Sequence, residues 1–193
     1  MIVEYGTDAF KSEWLEFLKQ DPVHPLIPIK KRIEGSRTLL ALVENNIPQA
    51  MICVKLGNKL PQNMHYILSD DEENANDNNF LYVIFYSIFR LEQATLKGSG
   101  AIAIKKAKEY FKTKNVKRFY TLSPIPNLAK DIRSIPAESV IIKYLLSGNG
   151  PVSKFHIGNG AKIHAINFNA DMSPQRIFES WGIMVNYDYS DYA

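Results

Sequence analysis

The sequence predicts an α/β fold built on a mixed sheet. Residues 80–89 (F-L-Y-V-I-F-Y-S-I-F) are aromatic and β-branched without a charge, the composition of a strand covered on both faces. A glycine-bearing stretch, an amphipathic segment (102–114) and a further apolar run (116–122) follow, giving strand, turn, helix, strand in sequence. Upstream, 38–44 and 50–56 are two apolar runs close enough to pair as antiparallel neighbours.

The remaining elements follow in chain order. Residues 8–19 place Phe10, Trp14, Phe17 and Leu18 at i, i+4, i+7 and i+8, the spacing of one helix face, with Asp8 as its N-cap. Pro22, Pro25 and Pro28 break the chain after it. The hairpin runs T-L-L-A-L-V-E and A-M-I-C-V-K-L are joined through N-N-I-P-Q. Residues 58–68 are ambiguous, with 64–68 a candidate third strand. Residues 69–79 (S-D-D-E-E-N-A-N-D-N-N) hold no apolar side chain larger than Ala75 and read as an exposed loop. Asp70, Asp71 and Asp77 are oxygen ligands there, but the spacing of a calcium loop is missing, and no metal is expected. The strand 116–122 is stopped by Pro124 and Pro126, and 127–146 reads as one or two helices interrupted near Pro136. Residues 162–168 alternate as a half-buried strand, 173–181 form a short helix with Pro174 at its first position, and 182–189 make a final strand.

Composition narrows the function classes. With 193 residues, 46% of them hydrophobic, the chain is expected to fold as a single domain over 1–193. One cysteine, Cys53, excludes an intramolecular disulfide and a multi-cysteine zinc site. A net charge of +3 gives no reason to expect a nucleic-acid partner. The charged first 20 residues carry no signal-peptide apolar run, and the longest apolar stretch is too short to span a bilayer. The expectation is a cytoplasmic protein with no membrane attachment.

Four stretches can carry chemistry. In T-L-K-G-S-G-A (95–101), Gly98, Ser99 and Gly100 sit between a buried strand and a helix, where free backbone N–H groups can hold phosphate oxygens with Lys97 beside them. A plain strand-to-helix turn explains the same glycines, and neither a Walker loop nor a dinucleotide fingerprint is present. In L-S-P-I-P (122–126) the prolines make a rigid turn that fixes the Ser123 hydroxyl, which otherwise simply caps the helix starting near Asn127. In K-F-H-I-G-N-G-A (154–161), His156 falls on a glycine-flanked tight loop, either as a proton donor or acceptor or as a surface histidine. His164, in the expected strand 162–168, faces solvent or a partner. In S-W-G-I-M-V-N-Y (180–187), Asn186 and Tyr187 are polar positions of a strand, equally suited to surface or site.

Taken together, L-S-P-I-P, F-H-x-x-N-G-A and S-x-G-x-M-V-N-Y resemble the run of motifs in the catalytic domain of the malonyl-CoA decarboxylase family. V-H-P at 23–25, F-Y-S-I at 85–88 and Q-x-x-L-x-G at 93–98 are similar to it as well. The resemblance spans most of the chain from about residue 20 and is tightest in the second half. It implies the GNAT acyltransferase fold, a mostly antiparallel mixed sheet flanked by helices, in which the turn at Lys97, Gly98, Ser99 and Gly100 grips the coenzyme A pyrophosphate. The family's serine–histidine pair falls on Ser123 and His156, its site tyrosine on Tyr187 and a further site serine on Ser87. Asn159 and Asn186 join Ser87 as expected substrate contacts. Some features depart from the family: its helical N-terminal domain has no counterpart in these residues, and only 32 residues separate Ser123 from His156, where longer members carry an insertion. The glycine-rich turn is also shorter, and a glutamate the family carries beside it is missing.

The resemblance implies decarboxylation of a malonyl or methylmalonyl thioester, carried by CoA or by an acyl carrier protein. No cofactor is expected, because the thioester carbonyl is itself the electron sink. Hydrogen bonds to the thioester oxygen from backbone N–H groups or Ser123 accelerate that reaction, with His156 placing the carboxylate and protonating the enolate. Tyr187 and Asn159 orient the histidine. An N-acyltransferase consuming acetyl-CoA with an amine, and a non-catalytic acyl-CoA-binding domain, are the alternatives. Oligomeric state is not readable from the sequence.

Overall fold

The computed structural model describes residues 1–69 and 80–191, which divide into two compact units, 1–59 with 80–119 and 60–69 with 120–191. The expected loop with its three aspartates therefore lies outside the described residues over 70–79. In chain order the elements begin with β1 (Ile2–Glu4), a 3-10 helix (Ser12–Gln20), α1 (Ile29–Ile33), β2 (Arg37–Glu44), β3 (Ile47–Gly57) and α2 (Met64–Leu68). The middle of the chain forms β4 (Tyr82–Arg90), α3 (Ser99–Lys112), β5 (Arg118–Thr121), β6 (Ser123–Pro124) and α4 (Leu128–Asp131). It ends with α5 (Glu138–Leu146), α6 (Pro151–Gly158), β7 (Lys162–Asn167), α7 (Pro174–Ser180) and β8 (Met184–Asp188). Every strand pair with a resolved register is antiparallel.

In the first unit β1, β2, β3 and β4 form a meander, with Val3 opposite Ala41, Leu40 opposite Ile52 and Ile52 opposite Ile88. Leu39, Leu40, Ala41, Ile52, Val54 and Ile84 are fully buried, so these strands carry nearly continuous apolar runs instead of alternating ones. The hairpin connection is shorter than N-N-I-P-Q. Asn45 and Asn46 alone turn the chain, at φ 50° and 63°, the left-handed pair that matches the twist of two antiparallel strands. Pro48 is then absorbed into β3 opposite Val43, where the register shifts and no ladder N–H is required of it. Residues 80–89 supply β4, buried on both faces as their composition predicts.

Three local elements differ from the sequence reading. The helix expected over 8–19 begins only at Ser12 and winds as a 3-10 helix. Residues ahead of it are tied into turns, with Thr7 N–H on Glu4 and Phe10 N–H on Thr7, so Asp8 caps nothing. Residues 64–68 are helical instead of a third strand, because Asn63 Oδ1 accepts the Tyr66 N–H at 2.8 Å and starts a helical turn. The three-residue strand β1 was too short to leave a periodic signal.

A buried ion pair anchors the V-H-P stretch. Arg32 pairs with Asp21, both side chains almost wholly enclosed, and the guanidinium also donates to the carbonyls of His24 and Ile27. Asp21 Oδ1 in turn accepts the Val23 and His24 backbone N–H groups. Satisfying both charges this fully is what permits them to be buried at all.

The second unit is organised around β8, on which β5, β6 and β7 all pair. The single-strand reading of 116–122 becomes two strands, with Leu122 outside the ladder between β5 and β6. Tyr120 lies opposite Asp188 and Ser123 opposite Val185, which is one unbroken register. The helical region 127–146 divides into α4 and α5 on either side of Pro136, and α7 starts at Pro174, as the prolines predict. Among the described residues no helix is long and apolar enough to cross a membrane. No group of three or more His, Cys, Asp or Glu is placed there to hold a metal ion.

Candidate active site

The break at Leu122 has a visible cause. Thr121 sits opposite Tyr187 in the register, and its hydroxyl accepts the Tyr187 backbone N–H at 3.2 Å. The Thr121 carbonyl instead takes Asn186 Nδ2, at 2.8 Å. Side chains therefore replace ladder hydrogen bonds at this point, and Ser123 emerges immediately after it in a buried setting. Pro124 and Pro126 then hold the chain that follows, and α4 starts at Asn127 in a left-handed conformation without a side-chain cap. Ser123 is thus not the cap of that helix. Its Oγ lies 2.9 Å from Thr121 Oγ1 and 3.1 Å from His156 Nε2.

His156 is not on a loop. Gly150 precedes α6 and Pro151 opens it, which sets the helix two turns ahead of the glycines. The G-N-G stretch is instead the end of that helix, where the His156 carbonyl accepts the N–H groups of Asn159 and Ala161, both at 3.1 Å. The imidazole is consequently buried, with only 5% exposed. Its Nδ1 meets the hydroxyl of Tyr189 at 2.8 Å. The Tyr187 ring stacks on it with centroids 4.5 Å apart and 24° between planes.

These surroundings set the charge of the site. Burial pushes His156 from its ordinary 6.5 down to about 3, so the imidazole is neutral at physiological pH. The same burial holds the Tyr187 and Tyr189 hydroxyls protonated, well above the usual phenol range. The result is a chain of neutral polar groups, Thr121, Ser123, His156 and Tyr189, within an enclosure shielded from solvent. Tyr187 contributes its ring to that enclosure, and its hydroxyl, buried beside Ser153, makes no hydrogen bond of good geometry.

Of the residues the sequence singles out, the structure brings Ser123, His156 and Tyr187 together. It turns two others to different work. Asn159 is exposed at the end of α6 and donates to the Phe155 carbonyl at 2.7 Å, finishing the helix instead of orienting the imidazole. Asn186 is fully buried and committed, donating to the Pro61 and Thr121 carbonyls and accepting from Asn167 Nδ2. It clamps β8 and leaves no polar atom for a substrate. Two residues that reasoning from the sequence missed, Thr121 and Tyr189, complete the polar chain. Each lies two positions from a residue it accompanies, Ser123 or Tyr187, which is the strand period. His164 stands on β7, half exposed, with its ring edge-on to Tyr120 at 5.0 Å.

Ser87, Lys97, Gly98, Ser99 and Gly100 belong to the first unit. Ser87 is buried on β4 opposite Cys53, beside a register shift, and its hydroxyl has no partner. The glycine-rich stretch is less a turn than the start of α3. Gly98 precedes the helix at φ 70°, which glycine adopts without penalty, while Ser99 and Gly100 already lie in its first turn. Lys97 is exposed, whereas Ser99 is buried with an unpaired hydroxyl. The backbone N–H groups of the first helical turn are the donors this stretch can offer to an anion.

Comparison with known proteins adds to this geometry. The model of the malonyl-CoA decarboxylase C-terminal domain matches residues 28–146 and 145–193. A malonyl-CoA decarboxylase structure from Agrobacterium vitis is 21% identical and superposes with a TM-score of 0.77, over 98% of this chain and 60% of that one. A GNAT-like decarboxylase solved with isobutyryl-CoA is 12% identical, with a TM-score of 0.67 over 98% of each chain. A mitochondrial malonyl-CoA decarboxylase from Anser anser anser is 51% identical over 39 residues, 20% of this chain and 8% of its own. The chain thus spans about three-fifths of the length of the Agrobacterium vitis enzyme. At these identities the structural likeness establishes the fold, a GNAT-like mixed α/β arrangement with mostly antiparallel strands.

Proposed function

Because the chain belongs to the malonyl-CoA decarboxylase C-terminal domain family, we propose that it removes carbon dioxide from a malonyl thioester. The observation that carries this reading is the buried, neutral His156 hydrogen-bonded to Ser123. Decarboxylation moves negative charge out of the carboxylate and onto the thioester oxygen. A cation beside the carboxylate would stabilise the starting state more than the transition state and slow the reaction. A neutral imidazole in an enclosure shielded from solvent avoids that penalty, and the low dielectric further disfavours the carboxylate relative to the charge-dispersed transition state.

The roles follow from this. The Cα–carboxylate bond breaks, its electron pair forms the enolate, and carbon dioxide leaves. Ser123 and His156 offer hydrogen bonds to the substrate's oxygens, strongest when the enolate charge is fully developed. A proton then passes from this pair to the α-carbon, and solvent returns one to the pair as the products leave, so that thioester carboxylate and one proton give acetyl thioester and carbon dioxide. The Tyr187 ring fixes the imidazole plane and excludes water from one of its faces. In the first unit the opening turn of α3, with Lys97, is the proposed hold for the CoA pyrophosphate. The orphaned Ser87 hydroxyl is a proposed further substrate contact. Malonyl-CoA is the first substrate to test, with methylmalonyl-CoA and malonyl-loaded carrier protein after it.

Mass spectrometry of malonyl-CoA incubated with the purified chain, without any amine, tests the proposal. Acetyl-CoA should appear, and Ser123→Ala and His156→Ala should each slow its formation by at least about a hundredfold. If malonyl-CoA, methylmalonyl-CoA and malonyl carrier protein all survive while acetyl-CoA is consumed with added amines, the chain is an acyltransferase instead.

A further inference from the structure

The Ser123–His156 pair has a direction, and Tyr189 sets it. A neutral imidazole carries its proton on one nitrogen only, and that choice decides whether His156 draws a proton from Ser123 or presents one to it. Among the described residues Nδ1 meets one side chain, the Tyr189 hydroxyl, at 2.8 Å. For that hydroxyl to donate elsewhere, the acceptor within reach is the His156 carbonyl, at 3.5 Å. That carbonyl already accepts two backbone N–H groups at 3.1 Å, so it is both distant and occupied. Tyr189 is itself buried, 5% exposed.

We propose that Tyr189 is a positioning residue whose hydroxyl donates to Nδ1 of His156 and so holds the imidazole proton on Nε2, facing Ser123. The rest of the chain then falls into order. Nε2–H donates to Ser123 Oγ at 3.1 Å, and the Ser123 hydroxyl donates to Thr121 Oγ1 at 2.9 Å. This polarity is opposite to that of a serine nucleophile, whose proton is drawn away by its histidine. A substrate oxygen then finds its donor in the Ser123 hydroxyl, which turns to it from Thr121 while still accepting from His156 Nε2–H, and no acyl-serine forms. The functional consequence rests on the decarboxylase reading, whereas the proton position does not.

The experiment is a long-range proton–nitrogen correlation spectrum of the whole chain labelled with 15N-histidine, at pH 7. His156 is assigned by the signal lost in His156→Gln. A pyrrole-type Nε2 and pyridine-type Nδ1, giving way to a mixture or to the reverse pattern in Tyr189→Phe, is the expected result. A protonated Nδ1 in the unaltered protein, or a spectrum unchanged by Tyr189→Phe, overturns the proposal. In the malonyl-CoA assay Tyr189→Phe should lower kcat at least about tenfold, the scale of losing a group that orients an imidazole, with KM unchanged. A raised KM at constant kcat would assign Tyr189 to binding and overturn its positioning role. If the unaltered chain leaves malonyl-CoA, methylmalonyl-CoA and malonyl carrier protein all intact while the spectrum is as expected, the proton assignment stands and the decarboxylase reading fails.

Discussion

Replacing His156 with glutamine should remove a specific pH dependence of stability. In the folded chain His156 binds its proton only near pH 3, whereas in the unfolded chain it does so near 6.5. The folded value is the lower one, so the unfolded state takes up more protons as pH falls. The stability conferred by keeping the ring neutral is complete above about 6.5 and is lost progressively on acidification toward about 3. Each unit between these limits costs about 1.4 kcal/mol, which places the loss at pH 5 near 2 kcal/mol. Urea unfolding of the second unit, followed at pH 8, 7, 6 and 5 for both proteins, reads this directly. Contributions from groups common to both proteins cancel in the difference. The gap between the two proteins should therefore narrow by about 2 kcal/mol between pH 8 and pH 5. A gap that stays constant would mean that the imidazole is hydrated in the folded state, and the argument for a neutral, water-excluded site would fall with it.

Two further substitutions test the surroundings. Tyr187→Phe removes a hydroxyl without a good partner and should change stability by less than about 1 kcal/mol, while Tyr187→Ala should cost about 3–5 kcal/mol by emptying the space over the imidazole; thermal unfolding compares them. Gly182→Ala should destabilise by more than about 2 kcal/mol by the same measurement, since φ is 74° and the new Cβ would lie 2.9 Å from the Asp171 carbonyl oxygen.

Much of the framework was legible because its signals are strong and local. Residues 80–89 could be nothing but a buried strand, and Pro136 and Pro174 marked helix boundaries by chemistry that tertiary contacts rarely override. The site was less so. From the residues of L-S-P-I-P alone, Ser123 stood between cap and functional group, and the resemblance to a family brought it forward. His156 illustrates the physical difficulty. G-N-G reads as a loop, but Gly158 is the last residue of a helix that begins at Pro151, and eight residues are little more than two turns, too few for a clear apolar repeat. Asn159 and Asn186 misled for a related reason, since an amide that terminates a helix or replaces a ladder bond has the same letter as one that meets a ligand. Thr121 and Tyr189 announced themselves only by a two-residue spacing, which acquires meaning once the opposing strand is known.

The enclosure of Arg32 and Asp21 has a practical corollary at the only cysteine. Cys53 is wholly buried, its Sγ receives a hydrogen bond from Arg32 at 3.4 Å, and burial pushes its thiol up to about 12. Thiolate is the reactive form, so the folded protein should ignore alkylating reagents at neutral pH. Labelling of Cys53 then becomes a clock for the opening of the first unit. The rate at which mass is gained counts the moments when the meander parts, while the serine and histidine of the second unit stay chemically silent to the same reagent. One unmodified protein thereby carries its own meter for the opening of its first unit.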